Sequence, residues 1–310
     1  MEKHPIIWAI DPFQRNPKVW KRSKELALWA ARALGRPLKP VYVMDRGFGP
    51  AQNAALAQEN EKFRQSSKAR LKRLLKSLGQ VRVQEPEVLG AYGFNERNDA
   101  KELESYAAKT KSPMILAATE AHEGVRRLFE GSFVETLVGG SPIPVLLSNQ
   151  HTRAVSKIEK IVFVSDLGPD SNQAFRKVCE LARTAGARLE ILSVQPDDAL
   201  KGNIMTVEAS GLGALAASAL ADIEQKRLRR AGARKARLGR GLGVETSFVL
   251  EDSKGLPVSE AILKSRSMKG ADLLALSTTD AVASMHLLGS VTQDLIRRSS
   301  IPVWACHPSV

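Results

Sequence analysis

The sequence predicts an α/β protein of two tandem doubly wound domains, each a five-stranded parallel sheet covered by helices on both faces. Three observations predict it. Apolar runs of strand length alternate with helical patterns along the whole chain, as βαβ units require. Most of these runs are continuously apolar, as strands buried on both faces must be. The chain also repeats itself: GSFVETLVGGSPIPVLL (131–147) faces GSVTQDLIRRSSIPVWA (289–305) ungapped at an offset of 158. IIWAID (6–11) faces IVFVSD (161–166) at an offset of 155. Two copies follow, 1–148 and 156–310, joined by the short polar stretch SNQHTRAVSK.

The first copy opens with the strand IIWAI, which ends at Asp11. A helix is expected over 17–34, with Trp20, Leu26, Ala27, Ala30, Ala31 and Leu34 on or near one face and Gly35 as its C-cap. PLKPVYVM (37–44) is the second strand, and a charged helix spans about 51–78. VRVQEPEV (81–88) is taken as the third strand, with Pro86 marking an edge. A helix over 97–110, the strand MILAA after Pro113, a short helix after Gly131 and the strand IPVLL complete the copy.

The second copy repeats this order: KIVFVS, a helix over 169–185 closed by Gly186, ARLEILSV, a long helix, VETSFVL, a helix over 257–268, DLLALS, a helix over 290–299, and IPVWAC. Right-handed crossovers leave few topologies for such a string. Ligands are expected at the carboxyl ends of the strands, near the switch point.

The composition is that of a globular protein, with 43% apolar and 25% charged residues. No apolar run reaches the roughly 18 residues of a membrane span. The start, MEKHPIIWAIDP, does not read as a signal peptide. Cys179 and Cys306 have no CxxC spacing and read as small buried apolar residues in a reduced, cytoplasmic setting.

The net charge of +13 permits attraction to polyanions. The basic residues gather in the second helix of each copy: Lys62, Arg64, Lys68, Arg70, Lys72, Arg73 and Lys76, then Lys226, Arg227, Arg229, Arg230, Arg234, Lys235, Arg237 and Arg240. Both runs read as solvated faces, the first with pairing from Glu59 and Glu61; the second has no acidic neighbour after Glu224. Nucleic acid is therefore not the expected partner, but association through 226–240 stands as a third reading. ASGLGALAASALA (209–221), just before the second run, reads as core or interdomain packing.

No GxxxxGK[ST] is present, which excludes a P-loop. GRGLG (239–243) precedes a strand instead of joining strand to helix, and reads as a flexible connector. There is no HExxH, and His122 and His286 fall in equivalent loops as exposed residues. No nucleophile, general base or metal set can be assembled, so no catalytic residue, no metal and no required cofactor are expected. What remains is a fourth strand, a loop, and Gly-Ser at a helix start. Free N–H groups and the dipole favour anions there. Gly131 and Gly289 allow close backbone approach, and Ser132 and Ser290 can cap the helix or donate to a phosphate.

On these residues the chain resembles a tandem universal stress protein over nearly its whole length: two first strands ending in Asp, two GS-x4-L helices, two IPV last strands. The resemblance implies a fold like that of the adenine nucleotide alpha hydrolases. It also implies an adenine contact from Asp11 and Asp166, and phosphates held by G-x2-G-x9-G-[ST]. It implies last strands that pair antiparallel, here within one chain as a pseudo-dimer, with a further homodimer compatible.

Both copies depart from the motif. The first places Ala118, Ala121, Gly131 and Ser132 at its four positions, and the second places Ser277 and Asp280 before Gly289 and Ser290, one residue short. Alanine at positive φ costs about 1 kcal/mol. A carboxylate about 5 Å from a phosphate charge repels it by roughly 3 kcal/mol at an effective dielectric of 20. The expected function is therefore a cytoplasmic, non-enzymatic stress-response protein that has lost ATP and acts through a protein partner or another ligand. The alternative keeps ATP as a ligand of Asp11, Ala118, Ala121, Gly131 and Ser132, with at most slow hydrolysis.

Overall fold

The computed structural model describes residues 3–46, 54–79, 81–92, 96–119, 133–196, 213–278 and 289–307. The chain folds as an α/β protein with a mostly parallel sheet, in two compact units: Met1–Lys157 with Thr278–Val310, and Ile158–Ser277.

In the first unit the strands are β1 (Ile6–Ala9), β2 (Leu38–Arg46), β3 (Glu87–Tyr92), β4 (Ile115–Thr119), β5 (Val145–Asn149) and β10 (Val303–Cys306). Their order is β3-β2-β1-β4-β5-β10. The first five are parallel, with Ile7 opposite Lys39 on one side and Ile115 on the other. As the resemblance implied, the last strands meet antiparallel, with Trp304 opposite Leu146 and Val303 opposite Leu147. The chain steps outward from β1 to β2 and β3, then returns to β4 on β1's other side. The switch point is thus between β1 and β4.

Helix α1 (Pro17–Leu34) begins on Asn16, whose Oδ1 accepts from the Lys18 N–H at 3.0 Å, and ends on Gly35 at φ 56°. Its buried face is Val19, Ser23, Leu26, Ala27, Trp29, Ala30 and Ala31, while Trp20 and Leu34 are only half-buried. Trp8 of β1 fixes this helix: its indole N–H donates to Ser23 Oγ at 2.8 Å, and its ring stacks on Trp20 at 5.6 Å. A buried indole needs such a partner for its N–H. α2 (Ala54–Leu75), α3 (Glu96–Lys109), α4 (Phe133–Gly140) and α8 (Ser290–Arg298) complete the unit. The side-chain amide of Asn149 donates to the carbonyls of Ile296 and Ser299, satisfying the end of α8.

The second unit has the parallel order β9-β6-β7-β8, from β6 (Lys160–Val164), β7 (Arg188–Gln195), β8 (Thr246–Asp252) and β9 (Leu273–Ser277). Its helices are α5 (Ser171–Ala185), α6 (Gly213–Gly241) and α7 (Val258–Lys264). Phe163 and Phe175 pack at 5.8 Å in the core between β6 and α5.

Three local expectations are corrected. The third strand is Glu87–Tyr92, not 81–88. Pro86 has no N–H to give a ladder, so pairing begins after it, and only Val83 bridges to Leu38. GRGLG is not a loose connector. Gly239 lies inside α6, where a Cβ would collide with Thr246, and the chain turns at Gly243 with φ 79°. The helix over 257–268 is α7 followed by a 3-10 turn at Arg266–Met268. The stretch 213–221 belongs to the same helix as the second basic run, and 209–212 lie outside the described residues.

Candidate functional site

A cavity of about 290 Å³ lies in the first unit where the strand order switches. Ala9, Ile10 and Asp11 line it from the end of β1, Val41, Tyr42 and Val43 from β2, and Ala117 and Ala118 from β4. Asp99 of α3 and Phe133 at the start of α4 complete the lining. Splayed crossovers open a crevice at such a point in an open α/β sheet. The volume stands at the lower edge of the roughly 300–1,000 Å³ of ligand pockets.

The walls are mostly apolar, and the described lining residues include two acids and no base. Asp11 has a local duty as well: its Oδ1 accepts from the Phe13 N–H at 2.8 Å and so closes the turn after β1. This turn carries Phe13 onto Phe63, stacked at 5.5 Å, and edge-on to Tyr42 at 6.0 Å. The guanidinium of Arg70 lies 5.0 Å over the Phe13 ring.

Asp166 makes the same turn in the second unit, accepting from the Gly168 N–H at 2.9 Å. The surroundings differ. Ile6 pairs with Leu38 and Ile161 with Leu189, so Tyr42 corresponds to Ser193. Phe13 likewise corresponds to Gly168. With these aromatics gone, Lys235 of α6 is buried, at 7% exposure. Its ammonium donates to Ser171 Oγ at 2.5 Å and lies 5.6 Å over Phe175. Ser171 also receives Ser165 Oγ at 3.0 Å and donates to the Gly168 carbonyl at 2.7 Å. Burial pushes the Lys235 pKa down, and the nearby Asp166 carboxylate opposes this. The knot ties α6, α5 and the end of β6 together. The sequence reading placed Lys235 in an exposed run. Its spacing from Gly232, Ala236 and Gly239 on one helical face was the signal for burial.

Of the expected site residues, the structure brings Asp11 and Ala118 together in the cavity. Ala121, Gly131 and Ser132 lie outside the described residues, as do Asp280, His122 and His286. Gly289 is the N-cap of α8, with an ordinary φ of −61° and no side-chain cap bond. Ser290 is the first helical residue and exposed, so it does not serve as the cap. Asp166 belongs to the second unit, whereas Gly289 and Ser290 belong to the first. Sequence reasoning missed Tyr42, Asp99 and Phe133, which reach the cavity from three other elements. No group of His, Cys, Asp and Glu able to hold a metal occurs among the described residues. Cys179 and Cys306 are buried thiols, and burial pushes the Cys179 pKa up to about 11.

Comparison with known proteins follows the same division into repeats. The model of the universal stress protein family matches twice, over residues 18–149 and 157–307. The fold is similar to that of a universal stress protein from Archaeoglobus fulgidus DSM 4304, with TM-score 0.64, 14% identity and 98% of each chain covered. It is also similar to a functionally unknown protein from Pseudomonas aeruginosa PAO1, with TM-score 0.57 and 15% identity over 98% of this chain and 92% of that one. At such identities the likeness speaks for the fold alone. The curated proteins hold no match to the chain.

Proposed function

Because the chain belongs to the universal stress protein family, we propose that it serves the stress response as a non-enzymatic binding and regulatory protein whose loops have lost ATP. The carrying observation is the cavity at the β1–β4 switch. It is small, walled by Ala117, Ala118, Val41 and Ile10, and the charged residues among its described lining are Asp11 and Asp99. A polyphosphate brought to two carboxylates is repelled by roughly 3 kcal/mol per charge pair at 5 Å and an effective dielectric of 20. A neutral ring with hydrogen-bond donors suits the same walls. Occupancy would then be communicated to a protein partner. The buried Cys179 and Cys306 suit a reduced, cytoplasmic setting, and no helix among the described residues is long and apolar enough to cross a membrane.

Native mass spectrometry with and without millimolar ATP and Mg²⁺ tests this reading. The expected result is no nucleotide-bound mass. A retained ATP mass that is lost in Ser132→Ala and kept in Ser290→Ala would overturn it in favour of an ATP site in the first repeat.

A further inference from the structure

We propose that the outer face of α6 is a docking surface for the phosphate backbone of duplex nucleic acid, independent of base sequence. The face is fixed by how the helix packs. Gly232, Lys235, Ala236 and Gly239 are its buried side. At Gly232 a Cβ would overlap the Phe248 ring, and at Gly239 it would overlap Thr246. The two glycines therefore hold α6 tightly against β8 and commit the opposite side to solvent.

On that side stand Lys226, Arg227, Arg230, Arg234 and Arg237, all exposed. At about 100° per residue, Arg227, Arg230, Arg234 and Arg237 fall within roughly 80° of arc, in a row about 15 Å long. Lys226 flanks the row, and Arg229 is exposed nearer the edge of the packed side. Among the described residues the pairing on this face is a surface contact, Arg227 to Glu224 at 3.4 Å. The basic helix of the first repeat differs. There Arg64 pairs with Glu87 at 3.5 Å and Lys72 with Glu85 at 2.7 Å. Glutamate pairing thus belongs to α2, whereas the α6 face is solvated and, as its sequence has no acid between Glu224 and Glu245, largely unneutralised among the described residues.

Like charges at i,i+3 and i,i+4 weaken a helix by about 0.2–0.5 kcal/mol per pair. Lys226–Arg230, Arg227–Arg230, Arg230–Arg234 and Arg234–Arg237 are all so spaced. A polyanion relieves every one of them. Arginine predominates in the row, and its planar fork matches phosphate oxygens two at a time. A single strand is disfavoured because the face carries no aromatic ring on which bases stack. A bilayer is disfavoured because the described packed side of α6 lies on the sheet, leaving Ile223 and Leu238 as its exposed large apolar side chains among those described.

Fluorescence anisotropy with a labelled 30-base-pair duplex tests this on the whole chain between 50 and 200 mM salt. Four or five neutralised phosphates give a log–log salt slope near −4, so affinity falls roughly 250-fold across that range. The variant Arg227→Glu, Arg230→Glu, Arg234→Glu is expected to weaken binding at least about 30-fold at 100 mM salt and to flatten the slope by about 3. The variant Lys62→Glu, Arg73→Glu, Lys76→Glu carries the same change in net charge on α2 and the residue after its end, and is expected to weaken binding less than about 3-fold. Circular dichroism establishes that both fold. Equal losses from the two variants would overturn the proposal by showing that net charge alone attracts the duplex. So would absence of duplex binding at 50 mM salt, or binding to phosphatidylserine vesicles without binding to the duplex.

Discussion

The side-chain amide of Gln293 donates a hydrogen bond to the buried carboxylate of Glu135, and the two residues occupy the same position in the two repeats, 158 apart. Leu146 and Trp304 face each other across the β5–β10 ladder at the same separation. Antiparallel pairing of the equivalent strands β5 and β10 brings equivalent residues face to face. Two glutamates at this meeting point would repel. The difference between repeats, acid in one and amide in the other, turns the repulsion into a hydrogen bond.

Gln293→Glu should therefore destabilise the protein at pH 7.5. Two carboxylates about 4 Å apart repel by roughly 4 kcal/mol at an effective dielectric of 20. Their shared pKa rises above the ordinary carboxylate range, so the penalty is present above that raised value and fades below it. Urea unfolding at pH 7.5 and pH 4.5 measures this. An equal midpoint for variant and parent at pH 7.5 would contradict it.

Trp304 is 1% exposed, yet its indole nitrogen has no hydrogen-bond partner among the described residues. The ring is thus valued for volume and not for its N–H. Trp304→Ala should cost about 3–5 kcal/mol through the cavity it leaves. Trp304→Phe also removes an unmet donor, and its cost should stay below about 1.5 kcal/mol. Denaturant midpoints of the two variants decide whether bulk or polarity matters.

Burial pushes the Glu104 carboxyl up to about 7, and Lys101 opposes the shift only in part. A carboxyl raised in the folded state binds its proton there while the unfolded chain, near 4.5, has released it. Stability therefore falls as pH rises from about 4.5 through 7, and the loss is complete above that window. Glu104→Gln should melt higher than the parent at pH 8 and at the same temperature near pH 4.5. Thermal melts across this range test it; a gap that widens toward acid would refute the assignment.

Lys235 titrates with the opposite sign. Its folded pKa is lowered below 10.5 by burial, so the unfolded chain binds the extra proton. Its contribution to stability improves as pH rises from the folded pKa to about 10.5. Lys235→Met keeps the stem and removes the charge. It should hold stability at pH 7 within about 1 kcal/mol or raise it, and it should abolish the alkaline gain. A loss above 2 kcal/mol would show that the bonds to Ser171 outweigh the burial of charge.

Much of the fold was legible because continuous apolar runs and a repeat offset are both one-dimensional signals. β1, β4, β5, β6, β9 and β10 lie within a residue or two of their expected places. The third strand was misplaced because Val81, Val83 and Val88 read as an apolar run, while the missing N–H of Pro86 decides where pairing starts. In the cavity, Asp11 was legible from its place at the end of an apolar run. Tyr42, Asp99 and Phe133 were not, because what joins them is the crossing of β2, α3 and α4 at one point. Lys235 was hidden by its neighbours. Seven basic residues of the same run are exposed, and its burial depends on two glycines and on small residues in β7 and α5.

The pairing of β5 with β10 also sets an order of events during synthesis. β5 leaves the ribosome more than 150 residues before the strand that will cover its edge. At about 5–20 residues per second this interval is roughly 8–30 s. Throughout it, the apolar edge Val145–Leu147 stands open to any passing strand. The nascent chain thus carries a timed hazard that the finished protein does not, and loss of the last ten residues would make it permanent.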